Sequence, residues 1–243
     1  LWLRRHLGDD SLLEWAIRLG EALIATGKRD RTGGLSWRGR DRPGLRALTG
    51  YSHGTAGAGI ALLELGAAVR DEAFKEAGLG AFAYERRWYS AAQANWPDFR
   101  RSGAGRSKIA QQFSTALCHG APGIALSRLR AMQLAPFPEI ASELHAALGT
   151  TSRATVAMLY APGTSFCLCH GLAGNADVLN LCANGAVPSL VWRVAAHCRR
   201  TSGVERAPSP NAAPGLMLGR SGIGLFYLRL FDPSIPSVLL PYP

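Results

Sequence analysis

The stretch SFCLCHGLAGN, residues 165–175, sets Cys167, Cys169 and His170 directly ahead of a glycine-spaced segment with helical character. Thiols and imidazoles are the donors a borderline-soft dication such as Zn²⁺ takes in tetrahedral geometry, with three protein ligands and an open fourth position in catalytic sites. A second Cys-His-Gly, Cys118-His119-Gly120, stands at the same place relative to a similar segment, and Ser52-His53-Gly54 is a partial third copy. Cys118, Cys169 and His170 therefore make a three-ligand set, with two thiolates balancing one dication. Cys167 is the alternative donor, two residues further from the helix start. Adjacent residues can both ligate where the backbone is irregular, as it is just before a helix.

These pairs recur because the chain repeats. HGTAGAGIALLELG (53–66), HGAPGIALSRLRA (119–131), HGLAGNADVLNLC (170–182) and GRSGIGLFYLRL (219–230) each open on Gly-x-x-Gly and continue as an apolar helix. Histidine precedes the first three; Leu218 precedes the fourth. Between them, DDSLLEWAIRLGEALIATG (9–27) carries a helical apolar stripe, acidic and Ser N-cap candidates and a glycine stop. Weaker helical patterns cover roughly 68–95, 137–148 and 186–199, and period-two strand signals are nearly absent. The expectation is an all-α array of helical pairs, with the more apolar glycine-started helices as the inner layer. If their starts converge, free N–H groups and positive dipole ends gather at one place and favour anions. Tight helix packing is the plainer reason for the same glycines.

Bulk properties narrow the function. The 243 residues are 47% hydrophobic, enough for a large core, and no apolar run reaches the roughly 18 residues of a membrane span. No secretory signal is visible, and Leu1 rather than Met opens the sequence, so it reads as a piece of something longer. Five cysteines, an odd number, make a poor disulfide framework and point to a reducing, cytoplasmic setting. The net charge of +10 lies mainly in arginine-rich stretches at 28–46, 100–108 and 199–206, without a basic helix or nucleic-acid motif. We expect no nucleic-acid partner: the charge reads first as the ordinary basic surface of an arginine-rich proteome, and second as a surface that attracts an acidic peptide. Cys182 and Cys198 fall inside helical patterns and read as structural, and His6, His145 and His197 lack the repeat context.

GYSHGTAG, CHGAPG, CHGLAG and the ending PGLMLGRSGIGLFYLRLFDPSIPSVLLP occur in an order that resembles the LanC-like lanthionine cyclase family. The likeness is greatest to the C-terminal cyclase domain of class II, LanM-type, lanthipeptide synthetases. It implies one cyclase domain over 1–243, folded as a double-layered α/α toroid with a central zinc on Cys118, Cys169 and His170. Four glycine-started helices against the family's seven imply a toroid incomplete at its N-terminus. The implied reaction adds a substrate cysteine thiol to dehydroalanine or dehydrobutyrine in a dehydrated precursor peptide, in lanthipeptide (bacteriocin) biosynthesis. The family's general acid/base falls on His53, with His119 as a second acid or an enolate stabiliser. An upstream dehydratase domain is the implied partner, and no Gly-x-x-x-x-Gly-Lys-Ser/Thr loop here could serve that step. Two other readings are a non-catalytic module binding zinc with a thiol or peptide, and an inactive truncated remnant. The intact ligand set and His53 favour the enzyme, since a relic drifts at such positions first.

Overall fold

The structure, a computed structural model, describes residues 1–39, 46–101, 112–183, 186–201 and 214–240. Parts of the three arginine-rich stretches lie outside these residues. Among the described residues the order is α1 (Trp2–Leu7), α2 (Ser11–Thr26), β1 (Lys28–Arg29), β2 (Leu35–Ser36), α3 (Thr55–Val69) and α4 (Glu72–Arg86). There follow α5 (Ala121–Leu134), α6 (Pro138–Tyr160), α7 (Leu172–Leu181), α8 (Ser189–Thr201) and α9 (Arg220–Phe231).

The four glycine-started segments are α3, α5, α7 and α9, and their neighbours in space run α3 on α5, α5 on α7, and α7 on α9. They form the inner layer. α4, α6 and α8 pack outside, each against the inner helix that precedes it. Apolar spacing explains the difference. In α8 the buried residues Val191, Val194, Ala195 and Cys198 make one stripe, and α4 buries Phe74, Ala77, Gly78, Ala81 and Phe82 on one face. α5 is instead buried along most of its first two turns, from Ala121 to Arg128. The weak outer pattern at 137–148 continues to Tyr160, because small residues and threonines fill the face it turns inward. Thr151 and Thr155 satisfy their hydroxyls on the carbonyls of Ala147 and Thr151, at 2.8 and 2.7 Å.

Two features lie beyond the sequence patterns. A short antiparallel hairpin pairs Lys28 with Ser36 and Arg29 with Leu35. Its turn is held by Asp30, which accepts from the backbone of Thr32 and Gly34 and pairs with Arg87 on the far side at 2.5 Å. Charged residues also run through the layers. Arg128, fully buried, reaches Glu85 of α4 at 3.0 Å and Glu143 of α6 at 2.7 Å, and lies over the Phe82 ring. Glu64 pairs with Arg130 between α3 and α5, and Asp177 with Arg229 between α7 and α9. Ser237 also bonds Asp177, at 3.0 Å, which pins the C-terminal segment onto α7.

The second glycine of each Gly-x-x-Gly has one steric reason. A Cβ on Gly57, Gly123, Gly174 or Gly222 would run into the carbonyl oxygen of Tyr51, Leu117, Leu168 or Leu216, respectively. In every repeat the approaching loop therefore lies directly over the first turn of its helix. Gly174→Ala should destabilise the chain near the upper end of the roughly 1–3 kcal/mol typical of overpacking, because the obstacle is backbone. Urea unfolding followed by circular dichroism checks this; an unchanged midpoint would show that the loop can lift away.

Candidate functional site

The loops ahead of α3, α5, α7 and α9 meet one another at one end of the inner layer. Gly50 sits at φ +104°, where a side chain would lie 2.9 Å from the Cys118 carbonyl and 3.0 Å from the His119 Cα. Asn175 donates to the Thr115 carbonyl at 3.2 Å, tying the second loop to α7. The Cys169 N–H donates to the Met217 carbonyl at 2.9 Å, tying the third loop to the fourth. The helix starts do converge, and the residues before them share one neighbourhood.

Within it, the side chains of Cys118 and Cys169, from different repeats, lie close enough to shift one another's ionisation. The Cys169 contact lowers the Cys118 thiol to about 7, against burial, with help from the Arg100 guanidinium. The same contact, with burial, pushes Cys169 well above the usual thiol range. The His53 and His119 rings stack, centroids 5.1 Å apart and planes at 13°. His53 is exposed, whereas His119 is fully buried and neither of its ring nitrogens has a hydrogen-bond partner. Burial lowers His119 to about 4, only partly opposed by the Asp98 carboxylate 4.0 Å from Nδ1. At neutral pH His119 is thus an uncharged imidazole that can donate or accept but holds no spare proton.

Asp98, Arg100 and Ser114 complete the cluster, and no motif in the sequence announced them. Arg100 grips Asp98 at 2.5 Å, and the Ser114 hydroxyl donates to the same carboxylate oxygen, Oδ2, at 2.9 Å. Burial alone would raise Asp98, but these bonds and the Arg100 backbone N–H hold it far below the usual carboxylate range. Arg100 is consequently a fixed cation beside the two thiols, with a half-exposed side chain. The only signal available was the spacing Asp98-x-Arg100, too common to point anywhere.

Of the expected metal ligands, Cys118 and Cys169 come together. His170 follows Cys169 but is exposed, and among the described residues no group of three His, Cys, Asp or Glu side chains is gathered to hold an ion. Cys167, the alternative donor, is buried in its own turn: its sulfur accepts the His170 N–H at 3.5 Å, and its carbonyl accepts from Gly171 at 3.1 Å. Cys182, which follows α7, and Cys198, within α8, are pushed up to about 12 by burial. The donor chemistry at the cluster fits a thiophilic dication: two adjacent thiols on rigid turns, an imidazole next in sequence, and a cation that favours their anionic forms.

If Cys118 and Cys169 share a hydrogen bond, alkylation of the metal-free chain will be lopsided. Iodoacetamide attacks the thiolate, so labelling of Cys118 should rise with a midpoint near pH 7 and Cys169 should lag throughout. Peptide mass spectrometry across pH 5–10 reads both sites; equal midpoints at the ordinary thiol value of about 8.5 would mean the pair is not formed.

Two layers of helical pairs with their loop-borne donors at one end define the helical toroid class. The solved structure of "Nisin cyclase" matches over 77% of this chain and 47% of its own, with a TM-score of 0.57 and 18% identity. The chain thus spans about half the length of that relative. The lanthionine synthetase C-like family model matches residues 1–240, and the chain belongs to that family. No curated protein matches it. Among the described residues, no helix is long and apolar enough to cross a membrane.

Proposed function

We propose that the chain is a zinc-dependent lanthionine cyclase domain acting on a dehydrated precursor peptide. The observation that carries this reading is the meeting of Cys118 and Cys169, from separate repeats, beside the stacked His53 and His119. Cys118, Cys169 and His170 are the residues that would hold zinc, and zinc, when bound, supplies a substrate thiol deprotonated at neutral pH. His53 is the proton donor and acceptor of the reaction, since it is exposed to substrate while His119 is buried and neutral. In the addition, the substrate sulfur bonds to the β-carbon of dehydroalanine or dehydrobutyrine, and the Cα–Cβ π bond opens. The electron pair moves toward the carbonyl as an enolate, and His53 returns a proton to the α-carbon. Arg100, half-exposed beside the thiols, adds a positive field fixed by Asp98 that stabilises the developing oxyanion.

The dehydrated peptide must come from a separate dehydratase activity, and the motif order supports the class II, LanM-type setting in which that domain lies upstream. A bacteriocin precursor is the substrate class, and the odd number of cysteines, five, supports a cytoplasmic location. Incubating the zinc-loaded chain with a pre-dehydrated precursor tests the reading, followed by the loss of alkylatable thiol, since ring closure leaves the mass unchanged. ATP and Mg²⁺ should not be needed, and an undehydrated precursor should come through with no loss of water. Stoichiometric zinc with no thiol consumption would instead support a module that binds and does not cyclise.

A further inference from the structure

Each of the two loops that bring His53 and His119 face to face is closed at its base by one buried side chain from elsewhere. Glu85, fully buried on α4, accepts with one carboxylate oxygen from Gly50 N–H at 2.7 Å and Ala56 N–H at 3.1 Å. These are the two ends of the loop that carries His53. Asn95, also buried, accepts from Ala121 N–H at 3.0 Å and donates to the Ser114 carbonyl at 3.0 Å. Those are the two ends of the loop that carries Cys118 and His119. The loops then approach at Gly50, where an added side chain would meet the Cys118 carbonyl and the His119 Cα.

We infer that Glu85 and Asn95 are positioning residues, paired clasps that fix the His53–His119 stack from behind without touching substrate. Their chemistry suits the task. One oxygen of Glu85 serves two N–H groups while the other faces Arg128 at 3.0 Å, and Arg128 is itself held by Glu143, so the carboxylate has no freedom to turn. Asn95 must present an acceptor to one end of its loop and a donor to the other, which an amide does and a carboxylate does not. Glu85 also lies on the buried face of α4, one turn beyond Phe82, where a stripe of apolar residues would otherwise continue. A carboxyl group kept there although burial pushes it above the usual carboxylate range, and bonded to a distant loop, marks a positional role.

The consequence for cyclisation rests on the site proposed above; the geometric claim does not. The test uses the full chain with ¹³C-labelled histidine. The wild type should show a cross-peak between the His53 and His119 ring protons. Asn95→Asp, which keeps the acceptor and loses the donor, and Glu85→Gln should each lose that cross-peak while retaining cooperative unfolding. Because a misplacement of about 1 Å can lower a rate about 10²-fold, cyclisation should fall by about that factor in kcat with little change in KM. Should Glu85→Gln fail to fold, Asn95→Asp alone decides. A cross-peak that survives in a folded variant overturns the inference. A lost cross-peak in a chain whose wild type neither binds zinc nor cyclises would uphold the clasps and overturn the function proposed for the site.

Discussion

Replacing Cys169 by alanine should abolish stoichiometric zinc binding while leaving the helical fold in place. Cys169 is only partly buried and its backbone N–H, not its thiol, makes the bond to Met217 that joins the third and fourth loops. Loss of the sulfur therefore spares the scaffold. It removes one of two thiolates from a three-donor set, and the loss of affinity should exceed the roughly 10–100-fold that follows loss of a residue merely supporting a ligand. Metal analysis after exhaustive dialysis reads the outcome, with circular dichroism as the control for folding. Cys118→Ala should behave alike, while Cys167→Ala should keep its metal at some expense in stability, because its sulfur closes the turn under His170. Zinc retained by both Cys118→Ala and Cys169→Ala would refute the ligand assignment. Zinc retained by those two but lost from Cys167→Ala would transfer a ligand to Cys167.

The repeat and its apolar helices were visible in the sequence because both are local. Gly-x-x-Gly recurs since each loop must lie on its own helix start, a contact made within seven residues, and the inner helices advertise burial by being apolar all round. The paired Cys-His positions inherit that register, which is why the sequence nominated Cys118 and Cys169 and the fold brings them together. Asp98, Arg100, Asn95 and Glu85 were hidden for the opposite reason. Their partners lie far along the chain, and no spacing rule connects Glu85 to Gly50, Asn95 to Ala121 or Asp98 to Ser114. A signal existed for some of them: Glu85 interrupts an apolar stripe, and Glu64, Arg128, Asp177 and Arg229 are charges at buried positions of the inner helices. A charge in an inner helix is costly unless paired, so each foretold a partner, though not which one.

Those buried pairs also bear on how the site holds its shape. Arg128 joins α4, α5 and α6 through Glu85 and Glu143, and Glu85 passes that constraint to the His53 loop. The outer layer is thus more than a cover for the inner one. Hydrophobic packing alone would let the inner helices slide along smooth apolar faces, whereas the directional bonds of Glu85 from the outer layer fix the height of the His53 loop.

His53→Asn should keep zinc and fold yet lose most of its enzyme-driven cyclisation. His53 precedes α3, whereas the proposed ligands precede α5 and α7, and the donor set is complete without it. Its ring is exposed and its contact is the stack on His119, so an amide of similar reach leaves the loop's Glu85 clasp untouched. What disappears is a group able to deliver a proton to the α-carbon. General acid–base groups typically contribute about 10²–10⁴-fold, so the loss stands clear of the uncatalysed addition of thiol to dehydroamino acid. The assay follows alkylatable thiol in a pre-dehydrated precursor, with zinc content measured on the same sample. Cyclisation at the wild-type rate would make His53 a structural residue. The proton would then have to come through His119, which burial holds near 4 and which could serve only as a neutral donor. Loss of zinc along with activity would make His53 a ligand and break the set of Cys118, Cys169 and His170. Retained zinc with a drop confined to the catalysed rate is the one result in which metal binding and proton transfer belong to different repeats, as the four converging loops suggest.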